Sequence, residues 1–528
     1  MNSKTQQSSK NYENIRFLKM RILQILAFAF ACITSILIFA GDISLVWAAG
    51  KPPIPRSGVY LGGILLAGQT PIYEFNRNSG FRHALFMEFL KFPDVLDAQG
   101  SDHTKIIDFI NMCKAGGAMP VLALETSAGL NSYTLEQISQ FAVWLKEFDV
   151  PIFLRWNHEM NGSWYPWGQQ PTLYIQRYKE FAEIIHAESR NVVMVWTPNQ
   201  GWGYPWAGGQ YAIQANSPDF TLLDTNKDGK LTEEDDPYGP YYPGDNSVDW
   251  VGFSFYHWGN TKNGYNEIPF AGKWGLINGI NNPIPNFHDI FAKGHNKPMM
   301  IAETSALYDT NNVNGGGASE AEIKKEWIKQ VYNLSDPGGA SLTVDLPMLK
   351  AICWFSQLKY EQEVNGPVDW RINSNQEVSA YYAAITADHL FHKAIFRADF
   401  LSILSAPTTI QQGLQYVVKI QYSATKKRDI MVNLLDSTSY GWHGGGQATV
   451  AAGRGEVSIN IAVLPNTPVG TEYFWDALIV PEGGDWKTAL DREQMSVSLF
   501  SAASKKVKTK SKQSFNNSKS KEIRCGNR

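Results

Sequence analysis

Cysteine is scarce in this chain of 528 residues: there are four, and Cys32 lies inside an N-terminal apolar run. The three beyond that run, Cys113, Cys353 and Cys525, are odd in number and lack metal-ligand spacing. Neither a disulfide framework nor a thiolate metal site is implied, and Cys113 and Cys353 read as buried thiols. An excess of charge is missing too. With a net charge of -3, and its one basic block at the extreme C-terminus, the chain offers no broad field for a polyanion, so no nucleic-acid partner is expected. A glycine-rich phosphate turn is also absent. The stretch "YLGGILLAG" lacks G-x-G-x-x-G spacing, which argues against a dinucleotide-binding open sheet.

Aromatic residues are abundant instead, at 13% with 17 Trp and 23 Tyr, and many adjoin Gly, Asn or Pro in loop-like stretches. Flat rings at a surface suit the apolar faces of sugar rings, although ordinary core packing would also use them. Residues 22–40 form an apolar run interrupted only by Gln24, Thr34 and Ser35. Arg16, Lys19 and Arg21 precede it, and Val46 and Ala48 stand at the small-residue positions of a signal peptidase site. The run is just long enough to span a bilayer. Residues 1–48 are therefore expected to be a signal peptide or an N-terminal membrane anchor, with the remainder extracellular or at the cell surface. Residues 502–528, rich in Lys and Ser, are expected to be a disordered basic tail.

Short β-rich apolar runs recur around Val59, Leu85, Val121, Ile152, Val193, Val251, Met300 and Ile352. Helical patterns separate several of them. The clearest places Leu135, Ile138, Phe141, Ala142, Leu145 and Phe148 on one face behind a Thr134/Gln137 capping box. Strands apolar throughout and alternating with helices indicate a parallel sheet covered on both faces. Eight such units predict an α/β fold, a (β/α)8 TIM barrel, over residues 55–400. Over 405–501 helical periodicity gives way to alternating segments such as "YVVKIQYSA" and "GEVSINIAV", the pattern of a small β-sandwich accessory domain. There Trp442 and Trp475 could be sugar platforms or core. A monomer is expected.

In such a barrel the functional groups gather where the strands end. Glu159 follows the fourth strand in "RWNHEMNGSWYPWG", and Glu303 ends the seventh in "MMIAETSA". Asn199 follows the fifth strand, Tyr256, His257 and Trp258 the sixth, and Trp354 ends the eighth. Strands four and seven lie across the mouth, so two carboxyls can converge there, one protonated to serve the leaving oxygen and one ionised to attack the anomeric carbon. Taken singly, either glutamate could belong to a structural ion pair, with Arg155 a partner for Glu159. A helical zinc motif H-E-x-x-H is excluded because its fifth position is Gly162.

The runs "LRWNHEMNGSWYPWG", "VDWVGFSFYHWG", "PMMIAETSA" and "AICWFSQ" followed by "DWRINSN" resemble the strand-end motifs of glycoside hydrolase family 26, whose best-known members are β-1,4-mannanases. The resemblance covers residues 58–395 and implies a retaining barrel with Glu159 as acid/base and Glu303 as nucleophile. It further implies that His158 bonds the sugar or the nucleophile, that Tyr256 donates to Glu303, that Trp164 stacks on the leaving-side sugar, and that Trp354 forms the platform under the attacked sugar. Trp258, Arg155 and Asn199 complete the expected substrate-binding set. Trp156 and Ser305 stand where the family often has proline and glycine, which bears on substrate choice before reaction type. The expected partner is a polysaccharide, β-1,4-mannan first, with β-1,3-1,4-glucan or β-1,3-xylan as alternatives. Rivals from other classes are a non-catalytic polysaccharide-binding surface protein and a structural envelope protein.

Independently, "DTNKDGKLTEED" sets Asp224, Asn226, Asp228, Lys230 through its carbonyl, and Asp235 at the ligand positions of an EF-hand-type loop, with Gly229 at the turn. A structural calcium is expected there, within an insertion at 218–245, and no cofactor for catalysis.

Overall fold

Eight of the apolar runs become neighbouring strands of one closed parallel sheet in the computed structural model. It describes residues 50–500 apart from 66–69, 260–263, 281–283, 312–316, 335–339 and 395. The expected signal or anchor at 1–48 and the basic tail at 502–528 lie outside the described residues. The strands are β1 (Val59–Ile64), β2 (Leu85–Lys91), β3 (Met119–Glu125), β4 (Ile152–Trp156), β5 (Val192–Trp196), β6 (Trp250–Ser254), β7 (Met299–Thr304) and β8 (Leu349–Phe355). Each pairs in parallel with the next, and β8 pairs with β1 to close the barrel.

Strand periodicity divides the core in two. Met87, Val121, Phe153, Val195, Met300 and Cys353 fill the barrel interior, while Leu122, Leu154, Met194, Ile301 and Ile352 face the surrounding helices. The helix Leu135–Glu147 shows both bonds of its capping box, and it buries Ile138, Phe141, Ala142 and Leu145. Leu135, expected on that face, is instead exposed, because it is the first helical residue and precedes the turn that meets the barrel.

Two excursions build up the mouth. Between β5 and β6 the chain leaves the barrel for residues 197–249, with only the short helix Phe220–Leu223 and the turn Gly239–Tyr241 as regular structure. After β8, β9 (Leu358–Glu361) and β10 (Gly366–Asp369) form an antiparallel hairpin. A short β11 (Phe391–His392) then pairs with β1.

The C-terminal domain comprises β12 (Phe400–Ser405), β13 (Thr409–Gln411), β14 (Gln415–Ala424), β15 (Arg428–Asp436), β16 (Trp442–Val450), β17 (Gly453–Val463), β18 (Gly470–Pro481) and β19 (Asp491–Phe500). They run in one continuous order, β12-β14-β17-β16-β15-β18-β19-β13, so the sandwich is a single sheet curled over a shared core of Val418, Ile420, Val432, Ile461, Trp475 and Ile479. Trp475 is core, with its indole N–H donated to the Pro407 carbonyl at 2.9 Å. Trp442 lies at the surface, donating to Asn433 Oδ1 at 3.1 Å. This domain docks on segments that lead into β2 and β3. Arg77 meets Asp491 at 3.2 Å, the Arg82 guanidinium lies over the Phe400 ring at 4.6 Å, and the Asp399 N–H reaches the Ala115 carbonyl at 2.7 Å. Those segments sit at the strands' N-terminal ends, so the mouth at the opposite end stays open.

Candidate active site

Glu159 is held by backbone that few residues adopt. Asn157 and Glu159 have φ of 44° and 54°, in the left-handed region that disfavours side chains. The strain is over-determined by bonds: Asn157 Nδ2 donates to Thr126 Oγ1 and its Oδ1 accepts from the Thr126 N–H, each at 2.9 Å. The Glu159 N–H donates to the Thr197 carbonyl at 2.8 Å. The aromatics that follow explain the crowding in the sequence. Trp164 Nε1 donates to Glu159 Oε2 at 2.9 Å, and Trp167 Nε1 donates to the His158 carbonyl at 2.7 Å. Gly162 is required here, since a Cβ would meet the Trp164 ring at 2.4 Å.

Glu303, near the end of β7, is held from two sides. Arg155 Nη1 donates to its Oε1 at 2.5 Å, and the Tyr256 hydroxyl donates to its Oε2. Arg155 points into the barrel, fully buried. Its Nε donates to Thr197 Oγ1 at 2.7 Å and its Nη2 to Ser254 Oγ at 2.8 Å, which fixes the guanidinium under the site. Its ion pair is therefore with Glu303 rather than Glu159, and it is closed off from any substrate.

Both glutamates line one cavity of about 1020 Å3, together with Trp164, Asn199, Tyr256 and Trp258. Their surroundings differ. Burial and the neighbouring Glu303 charge push Glu159 up to about 7, against opposing effects of Arg155 and of hydrogen bonds from Ser254 and Trp164. Burial and Glu303 also hold the Tyr256 phenol well above its ordinary range, so it keeps the proton it donates.

Two expected substrate contacts fall elsewhere. Trp354 is fully buried and points outward into the helix layer, donating its indole N–H to the Trp370 carbonyl at 2.9 Å. The alternation of β8 turns Cys353 and Phe355 inward and leaves Trp354 outside, so Phe355 and Trp370 line the cavity instead. His158 lies beneath Tyr165, whose hydroxyl is 3.2 Å from its Nε2, and makes no bond to Glu303. Burial and then Arg155 keep this ring well below the ordinary histidine range, hence neutral.

Sequence reasoning missed a third carboxyl. Glu125 ends β3, faces the cavity, and is pushed up to about 7 by burial and the Glu303 charge; its Oε1 is 3.9 Å from His158 Nε2. The signal was available in "PVLALE", a glutamate directly behind an apolar run, as at Glu303. Trp202 and Trp206, in the β5–β6 excursion, also line the cavity.

In the loop at 224–235, Asp224 accepts from the Asp228 and Gly229 N–H groups at 3.0 and 2.9 Å, and Asn226 Oδ1 from the Asp228 N–H at 3.0 Å. Asp228 Oδ1 accepts from the Lys230 N–H at 2.8 Å, and Asp235 accepts from the N–H groups of Thr225, Asn226 and Thr232. Gly229 takes φ of 83°, as the sharp turn requires. The oxygens are all hard donors of the type calcium takes, yet they are turned onto the loop's own amides. No cluster of three or more His, Cys, Asp or Glu side chains placed to hold a metal occurs among the described residues.

A closed parallel barrel thus brings a buried glutamate of raised pKa beyond β4 and a donor-held glutamate on β7 into one cavity, the pairing of two unlike carboxyls that glycoside hydrolysis requires. Residues 121–211 match the model of glycosyl hydrolase family 26, and residues 401–492 match that of the porphyranase-associated domain. Over residues 121–211 the chain is thus similar to glycosyl hydrolase family 26. Endoglucanase H of Acetivibrio thermocellus is 27% identical over 259 residues, 47% of this chain and 22% of that protein. Beta-1,3-xylanase TXYA of a Vibrio species is 26% identical over 205 residues, 36% of this chain and 33% of that protein. The matches thus span a third or less of these relatives' own lengths. Among solved structures, a fungal β-1,4-galactanase aligns with a TM-score of 0.40 at 12% identity, covering 62% of this chain and 99% of its own.

Proposed function

We propose that this protein is an exported, retaining endo-glycosidase that hydrolyses a β-linked polysaccharide, with β-1,4-mannan the first backbone to test. The observation that carries the reading is the unlike environment of the two glutamates in one cavity. Glu159, raised to about 7, holds a proton near neutral pH and can pass it to the leaving oxygen. Glu303, gripped by Arg155 and Tyr256, is aimed as the carboxylate that attacks the anomeric carbon.

The same electrostatics serve the second half of the reaction. Forming the glycosyl ester removes the Glu303 charge, and that charge is part of what raises Glu159. Glu159 therefore becomes more acidic in the intermediate and suited to take a proton from the incoming water.

A second reading of substrate, β-1,3-1,4-glucan or β-1,3-xylan, is favoured by the curated relatives, one named an endoglucanase and one a beta-1,3-xylanase. The apolar segment at 22–40 supports export or surface anchoring, and the loop at 224–235 supports a structural calcium held by Asp224, Asn226, Asp228, the Lys230 carbonyl and Asp235. Calcium would supply rigidity there and take no part in the chemistry.

The test is release of reducing ends from mannan, galactomannan, lichenan, β-1,3-xylan and β-1,4-xylan. Glu303→Ala should lower turnover by about three orders of magnitude or more while leaving polymer binding. Equal rates in variant and wild type would refute the assignment.

A further inference from the structure

The β5–β6 excursion does more at the cavity than enclose it. Trp164 donates to Glu159, the residue that serves the leaving oxygen, so its ring marks the leaving-group side of the cleavage point. Trp206 meets Trp164 edge to face with ring centroids 5.2 Å apart, and Ser163 Oγ donates to the Trp206 carbonyl at 2.5 Å, which binds the excursion to the acid/base loop. Trp202, in the same excursion, is 42% exposed although it lines the same cavity, and its ring meets Phe270 edge to face with centroids 6.4 Å apart and has Lys273 Nζ 5.9 Å from its centroid. An indole so exposed would be a poor core residue, yet its backbone is fixed: its N–H donates to Gln200 Oε1 at 2.5 Å, and its carbonyl accepts from Gln200 Nε2 at 2.7 Å. The neighbouring Gly201 N–H donates to the Tyr238 hydroxyl at 2.6 Å.

The cavity is also lined by Phe355 on β8, by Lys359 and Glu361 on β9, and by Gln357 and Trp370 directly beside these strands. In a closed barrel of eight strands, β4–β5 and β8 lie on opposite sides of the mouth, so the cavity runs across it with both ends built. From this we infer that Trp206 and Trp202 form a leaving-side platform that extends the binding of a neutral polysaccharide beyond the sugar unit stacked on Trp164. The platform rests on the glycosidase reading above. The occupant is the continuation of the substrate chain, because the surface continues the wall of the catalytic cavity and its flat faces match the C–H faces of pyranoses.

The test uses Trp202→Ala and Trp202→Phe in the full chain, with Trp486→Ala, an exposed indole of the C-terminal domain, as a control. Substrates are the hydrolysed polymer, its reducing-end-labelled hexasaccharide, and an aryl glycoside whose leaving group occupies only the first leaving-side position. Trp202→Ala should lose about tenfold more kcat/KM on the hexasaccharide than on the aryl glycoside, and its cleavage point should move toward the labelled end. Trp202→Phe should recover most of the loss. Equal losses on both substrates with an unmoved cleavage point would overturn the platform while leaving the glycosidase reading intact. A wild-type protein that cleaves none of the three would overturn both.

Discussion

The alkaline limb of the pH profile tests the division of labour between the two glutamates. Glu159 must be protonated to serve the leaving oxygen, and burial together with the Glu303 charge sets it at about 7. About nine-tenths of it carries the proton at pH 6 and about one-tenth at pH 8, so kcat/KM on an unactivated polymer should fall roughly tenfold between those values and tenfold per unit above. Glu125, set at about 7 as well, could produce a second ionisation in the same range. The Glu125→Gln variant removes it, and the limb should remain. A substrate with a dinitrophenolate leaving group needs no proton, so its glycosylation rate should show no such limb. Glu303→Gln deletes the charge that raises Glu159, and a 13C NMR titration of the Glu159 carboxyl should move to lower pH. A limb at the ordinary carboxylate range, a limb lost with Glu125→Gln, or one that persists with dinitrophenolate would each refute Glu159 as the acid.

Three further outcomes follow from the same structure. Glu125 is raised from 4.5 to about 7 on folding, so the native state binds the extra proton between those values and wild-type stability falls as pH rises through that window. Glu125→Gln should match wild type at pH 4 and exceed it by up to about 3 kcal/mol at pH 8 in urea unfolding; parallel curves across the range would show that the carboxyl is not buried in the way described. Trp354→Ala should cost about 3–5 kcal/mol by emptying the helix layer while leaving KM unchanged, and a raised KM at unchanged stability would put its ring on the substrate. Calcium at 100 times its Kd should stabilise the fold by about 2.7 kcal/mol, read as a rise in Tm that a chelator and Asp235→Ala both abolish; no rise would remove calcium from the 224–235 loop.

The barrel was legible because its strands are apolar throughout and its strand-end residues are not. A charged residue directly behind an apolar run is visible without coordinates, and that pattern marked Glu303 near the end of β7. It marks Glu125 equally, at the end of β3 behind the apolar run "PVLAL". What the sequence could not deliver was side-chain direction at the last turn of a strand. Trp354 and Phe355 are adjacent and both aromatic, yet a period of two sends one into the helix layer and the other into the cavity. The phase of that alternation depends on the barrel register, and β7 and β8 shift register twice along their pairing. Arg155 teaches the same lesson from a buried position. Four residues along the chain from Glu159, it is a candidate ion-pair partner for that residue as well as a candidate substrate contact, but the inward phase of β4 carries its guanidinium across the barrel to Glu303. Neighbours in sequence at a barrel mouth face different ways, whereas residues on opposite strands meet. The pair proposed to carry the chemistry, Glu159 and Glu303, is itself joined through Arg155 and Ser254, with Arg155, Ser254 and Glu303 on three different strands. Arg155→Met should therefore disturb Glu303 directly and Glu159 through the loss of a nearby positive charge, and the Glu159 titration should shift upward in that variant.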